Sequence, residues 1–114
     1  MTIKDAQQRI IDIRKLQKDW DGYNALPIPF EVCKLAENLL QKLNHVPEIF
    51  PTARESIQFQ WENNSDYAEV EIFLNKLEVL VKFNNIYYDF DLDVSQFWIV
   101  EEIVKLIINR ENTE

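Results

Sequence analysis

Hydrophobic positions along this chain recur first at helical spacing, then at every second residue, then at helical spacing again. Ile3, Ala6, Ile10, Ile13, Leu16 and Trp20 fall at three- and four-residue steps, the stripe of a helix predicted from Thr2 to Trp20. Thr2, with Asp5 three residues on, supplies its N-terminal cap. Phe30, Cys33, Ala36, Leu39/Leu40 and Leu43 form a second stripe. That helix starts at Pro29, where a missing N–H costs nothing, and ends before Pro47. Residues 48–55 hold to neither period and are expected to be a loop.

Four strands follow, over Ser56–Glu62, Tyr67–Leu74, Leu77–Phe83 and Ile86–Asp91. Their apolar sides are Ile57, Phe59 and Trp61; Ala68, Val70, Ile72 and Leu74; Leu77, Val79, Val81 and Phe83; and Ile86, Tyr88 and Phe90. The connections are Asn63-Asn64-Ser65-Asp66, Asn75-Lys76 and Asn84-Asn85, where asparagine takes the positive φ that glycine usually supplies. A turn at 75–76 would pair 74 with 77, 72 with 79 and 70 with 81. A turn at 84–85 would pair 83 with 86 and 81 with 88, and the first loop 61 with 68 and 59 with 70. Each pairing sets apolar against apolar, as cross-strand packing requires. A last helix begins after Asp93, which forms a capping-box pattern with Gln96. Its stripe is Phe97, Val100, Val104 and Ile107, widened by Ile99, Ile103 and Ile108, and residues 109–114 are expected to fray. The fold class is therefore α+β in one domain over residues 1–114. Two N-terminal helices precede a four-stranded antiparallel meander in order 1-2-3-4 and a C-terminal helix, with the helices on one sheet face.

Glycine sharpens one segment. Gly22 is the only glycine in 114 residues, within Trp20-Asp21-Gly22-Tyr23-Asn24-Ala25-Leu26-Pro27-Ile28-Pro29. The segment is expected to be a connector in which Gly22 stops the first helix in the left-handed region and Trp20 and Tyr23 pack beneath it. Asp19 and Asp21 would meet the wrong end of the helix dipole, so they serve the turn, through Asx hydrogen bonds, or a partner. Trp20-Asp21-Gly22-Tyr23-x-Ala25-x-Pro27-Ile28, followed by Ser56-Ile57-x-x-x-Trp61-Glu62, resembles a group of small, largely uncharacterised bacterial proteins. The resemblance covers about the first two-thirds of the chain. It implies two N-terminal helices joined to a β-meander and a bacterial or mobile-element origin, and it transfers no catalytic residue. Asn24 and Arg54-Glu55 depart from the pattern, where glycine and a turn pair ending in glycine are expected.

Composition and charge narrow the function classes. The chain is 46% hydrophobic and 28% charged, a globular composition. The N-terminus lacks a secretory h-region, and no apolar stretch approaches the ~18 residues of a membrane span. Cys33 stands alone, which excludes an internal disulfide and fits a reducing, cytoplasmic setting. Residues 1–47 carry seven Lys/Arg and six Asp/Glu, whereas residues 48–114 carry five and fourteen. So acidic a second part disfavours direct nucleic-acid binding and steers basic partners.

Candidate chemistry is sparse. Asp89-x-Asp91-x-Asp93 suggests calcium, but an EF-hand loop needs glycine and glutamate where Val94 and Val100 stand, and Asp93 is better used as a cap. No specific metal site and no cofactor are expected. His45 is the sole histidine, placed at the second helix exit to meet its last carbonyls, so catalysis of the Cys–His or Ser–His–Asp kind has no support. No glycine-rich phosphate loop exists, and Glu69 and Glu71 would lie on an open sheet that cannot separate their pKa values. The chain is therefore not expected to be an enzyme.

The polar sheet face remains. The expected register gives the rows Gln60–Glu69–Lys82–Tyr87 and Gln58–Glu71–Leu80–Asp89, the second with two repelling carboxylates. That face is either a solvated surface or, with aromatics ringed by charge, an interface. The leading expectation is a small cytosolic protein-binding module, of antitoxin, immunity or inhibitor type. It would dock Tyr67, Glu69, Glu71, Phe73, Asp89 and Tyr87 on a basic protein, with no direct nucleic-acid or membrane contact. The alternatives are a nucleic-acid mimic that inhibits a DNA-binding enzyme, and a homodimeric scaffold joined by an edge strand or the sheet face. A small-molecule role has no pocket signature.

Overall fold

The computed structural model describes residues 2–110. Its elements run α1 (Ile3–Arg14), α2 (Phe30–Leu40), β1 (Glu48–Pro51), β2 (Ile57–Asn63), β3 (Asp66–Ile72), β4 (Leu77–Phe83), β5 (Ile86–Leu92), a 3-10 turn (Val94–Gln96) and α3 (Phe97–Asn109). The strands form one antiparallel sheet in order β1-β2-β3-β4-β5. The expected four strands are thus five. β1 was hidden in the apparent loop because it is four residues long, buries only Ile49 and ends in Pro51, so it shows no alternation. Ile49 pairs with Phe59 and joins the apolar face.

Helices cover that face, and one continuous core joins Ala6, Ile10 and Ile13 of α1, Cys33 and Leu40 of α2, Phe59 of β2 and Val104 of α3. Both capping boxes form: Thr2 exchanges bonds with Asp5, and Asp93 with Gln96. Among the described residues no helix is long and apolar enough to cross a membrane.

The connector differs from expectation. α1 stops at Arg14, short of Trp20, so Gly22 does not end it. Gly22 instead sits at φ +78° inside a loop, where an added Cβ would meet nothing and only the backbone angle favours glycine. Two carboxylates hold this loop. Asp19 accepts from Asn24 N–H at 2.8 Å, and Asp21 accepts from Tyr23 N–H at 2.8 Å and Ala25 N–H at 3.0 Å. The Tyr23 bond, most of all, lowers the pKa of Asp21. Trp20 donates from Nε1 to the Leu26 carbonyl at 2.9 Å. Tyr23, expected beneath the loop, is 88% exposed. Phe30, placed on the α2 stripe, is also exposed; Val32 is buried in that helix instead. The Arg14 guanidinium sits 5.1 Å from the Phe30 ring centroid.

Register holds at two hairpins and shifts at the third. Trp61 pairs with Ala68 and Phe83 with Ile86, as expected. Between β3 and β4, however, Ile72 pairs with Leu77 and Val70 with Val79, two residues off the expected pairing. Residues 73–76 form the connection, closed by Phe73 N–H on the Lys76 carbonyl at 3.0 Å. A two-residue slip keeps every side chain on its own face, so matching apolar to apolar cannot detect it.

The expected fraying of 109–114 lies, from residue 111 on, outside the described residues. Arg110 is pinned: it bonds both oxygens of buried Asp66 at 3.0 Å and the Asn84 amide oxygen at 2.7 Å. Asn63 also donates to the Ile107 carbonyl at 2.8 Å, satisfying a helix end that would otherwise lack a partner.

Candidate functional site

The polar sheet face is built by the odd-numbered residues of β3 and β5 and the even-numbered residues of β2 and β4. The observed register arranges them in three rows across β3, β4 and β5: Tyr67–Lys82–Tyr87, Glu69–Leu80–Asp89 and Glu71–Glu78–Asp91. Both expected rows are therefore corrected by the two-residue shift. Glu71 lies beside Glu78, not Leu80, and Glu69 shares its row with Asp89, not Lys82.

Two adjacent glutamates, Glu71 and Glu78, would repel across the strands without a cation. Arg54, in the turn before β2, supplies one: its guanidinium reaches Glu71 at 3.0 Å and grips both Glu78 oxygens at 2.8 and 3.3 Å. Lys76 adds a contact to Glu78 at 2.8 Å. The Arg54 hydrogen bond, ahead of the Lys76 bond, holds Glu78 at about 2, against 4.5 for an ordinary glutamate. Glu71 is buried, and its other oxygen accepts from the Ser56 and Thr52 hydroxyls. Phe73 completes the cluster, its ring centroid 4.8 Å from Arg54 and 5.3 Å from Lys76. Two of the six expected contact residues, Glu71 and Phe73, are thus engaged in an internal knot.

Tyr67 and Glu69 are half-buried, joined by the Tyr67 hydroxyl, which donates to Glu69 at 3.0 Å and lies 3.1 Å from Gln60. Burial, reinforced by Glu69, pushes the Tyr67 phenol far above its ordinary value, so it stays a neutral donor. Tyr87 and Asp89 are exposed on β5. Lys82 lies 5.9 Å from the Tyr87 ring centroid. Asp89 and Asp91 make no ion pair among the described residues. The face therefore divides into a neutralised end around Arg54 and an open, negatively charged end on β5.

β5 is also partly bare on its other side. α3 packs mainly over β2, β3 and β4; on the apolar face of β5, Phe90 and Leu92 pack partly against the core, while the Ile86–Tyr88 end is left exposed. Ile86 is 54% exposed and Tyr88 47%. A groove of about 260 Å³ runs between this strand and α3, walled by Val81, Phe83, Tyr88 and Phe90 on the sheet and Ile103, Leu106 and Ile107 on the helix. The chain matches no family model, no curated protein and no solved structure.

Other expected residues fall elsewhere. Cys33 is buried and its thiol pKa raised by that burial. His45 lies beyond the α2 end, at Leu40, and meets β2 instead: its carbonyl accepts from Trp61 Nε1 at 2.9 Å. Asp93 is spent on capping Ser95 N–H at 3.1 Å. No group of three His, Cys, Asp or Glu comes together for a metal ion among the described residues. The sequence did not single out Arg54 as a clamp, the Asp66–Arg110 pair, or Glu101, whose buried oxygens find no hydrogen-bond partner among the described residues. Arg54 and Glu71 are 17 positions apart and Asp66 and Arg110 are 44 apart, beyond any local pattern.

Proposed function

We propose that this chain is a protein-binding module that receives a basic partner on the β5 end of its sheet. One observation carries the proposal: Asp89 and Asp91 stand exposed and unpaired among the described residues, while Glu71 and Glu78 on the same face are neutralised. Unpaired surface carboxylates draw cationic partners and raise their encounter rate. The exposed Tyr87 beside them supplies the aromatic contact that interfaces favour. Of the expected contact residues, Tyr67, Glu69, Tyr87 and Asp89 remain in the site, Asp91 joins them, and Glu71 and Phe73 leave it. Binding rather than catalysis, as an antitoxin, immunity or inhibitor protein binds, suits an open surface of carboxylates. A cytoplasmic setting accords with the lone, buried thiol of Cys33.

Charge reversal tests the assignment. Asp89→Lys with Asp91→Lys should abolish capture of the basic partner and leave the urea midpoint nearly unchanged, because both side chains are exposed. Glu71→Lys is a poor test, since it would break the Arg54 knot. Undiminished capture by the double variant refutes the assignment.

A further inference from the structure

We infer that β5 accepts an extended segment of a partner protein as a sixth strand, a segment in which apolar residues alternate with lysine or arginine. The inference rests on the reading of β5 as the docking site for a basic protein, and it specifies the partner's conformation and pattern.

Backbone geometry comes first. The two-residue turn Asn84-Asn85, with φ of +57° and +64°, closes the β4–β5 hairpin with Phe83 opposite Ile86. Hydrogen-bonded and non-bonded pairs alternate from that closing pair. Ile86, Tyr88, Phe90 and Leu92 therefore exchange bonds with β4. Tyr87, Asp89 and Asp91 turn their N–H and C=O groups outward, as a free template for another strand. Pairing runs unbroken from Ile86 to Leu92, with no proline and no bulge to spoil it.

The two faces of the edge then specify the side chains. A strand laid beside β5 would point alternate residues toward the helices, over the uncovered Ile86 and Tyr88 and the mouth of the apolar groove. Its intervening residues would lie beside Tyr87, Asp89 and Asp91, where cations are favoured. Apolar and basic residues at period two satisfy both faces at once. Charge also chooses between a foreign segment and a second copy. Full antiparallel pairing of two β5 strands, 86 opposite 92, sets Asp89 against its own counterpart, and like charges directly opposite destabilise. The net charge of −8 adds to that repulsion.

The test uses the intact protein and a labelled peptide as long as β5 that alternates valine with lysine, followed by fluorescence anisotropy at low salt. One control has the same composition with the valines and lysines in blocks. Another keeps the alternation but is N-methylated at the amides that would pair with β5. The alternating peptide should bind about tenfold or more tightly than either control. Asp89→Pro deletes an outward N–H at an edge position that tolerates proline, and should weaken binding by about tenfold or more. Asp89→Asn keeps the donor and should weaken it by about threefold. If circular dichroism shows that Asp89→Pro does not fold, the N-methylated peptide decides the matter on the unaltered protein. Equal binding of all three peptides overturns strand addition and leaves the basic-partner assignment standing. Failure of every peptide to bind overturns both. A dimer in light scattering that Asp89→Pro dissociates assigns the edge to a second copy and overturns the proposal.

Discussion

The two edges of the sheet are built from opposite materials. β1 is four residues long, ends in Pro51 and lies against α1, whose Arg9 donates from Nε to the Ile49 carbonyl at 3.0 Å. β5 is seven residues long, contains no proline and leaves Ile86 and Tyr88 of its apolar face exposed. Short strands, proline and covering elements are the usual means by which proteins keep a sheet edge from recruiting another chain. β1 uses all three. β5 is neither short nor interrupted by proline and is covered only toward Phe90 and Leu92, although its twin carboxylates discourage self-pairing. One sheet thus carries a closed edge and an open one, and it is the open one that holds the unpaired charge.

The sharpest way to break this contrast is to truncate corresponding apolar residues on the two strands. Ile49→Ala on β1 removes a fully buried side chain and should cost about 2–5 kcal/mol in urea unfolding. Tyr88→Ala on β5 removes a half-exposed one and should cost at most about 1 kcal/mol. Equal losses would mean that the β5 face is covered in solution. The Arg9 link is the next target. Arg9→Ala should destabilise by about 1 kcal/mol, the net worth of one hydrogen bond, and should speed amide exchange in β1 while leaving β5 unchanged.

The smallest effect concerns the charges that divide the polar face. Glu78 has a folded pKa of about 2, below its ordinary 4.5. A carboxylate lowered by folding stabilises the fold above its ordinary value, and that contribution disappears as the pH falls toward the folded value. Stability should therefore drop between about pH 4.5 and 2. The loss should be at most about 1 kcal/mol, because Arg54 is more than half exposed and solvent screens the pair. Glu78→Gln should flatten that part of the pH profile. An unaltered acid slope in the variant would mean the Arg54 clamp does not stabilise the fold.

Much of this architecture was legible from local pattern. Apart from Leu74, which lies beyond β3 and is exposed, the faces of β2 to β5, the stripe of α3 and both capping boxes followed from periods of two and 3.6 and from the chemistry of Thr2, Asp5, Asp93 and Gln96. The candidate site was legible only in outline. Tyr87 and Asp89 stayed exposed as expected, but nothing local indicated that Arg54 would engage Glu71 and Phe73.

The amino-acid sequence by itself determined which residues lie on which face, where most strands turn and where the helices begin, because these depend on neighbours a few positions away. Only the tertiary structure decided that Glu48–Pro51 joins the sheet, that Ile72 pairs with Leu77, and that Ile86 and Tyr88 of β5 stay exposed. Backbone pairing can recruit a strand too short to show a period, a period of two is blind to a two-residue slip, and the reach of a helix over a sheet is settled by the packing of the whole core.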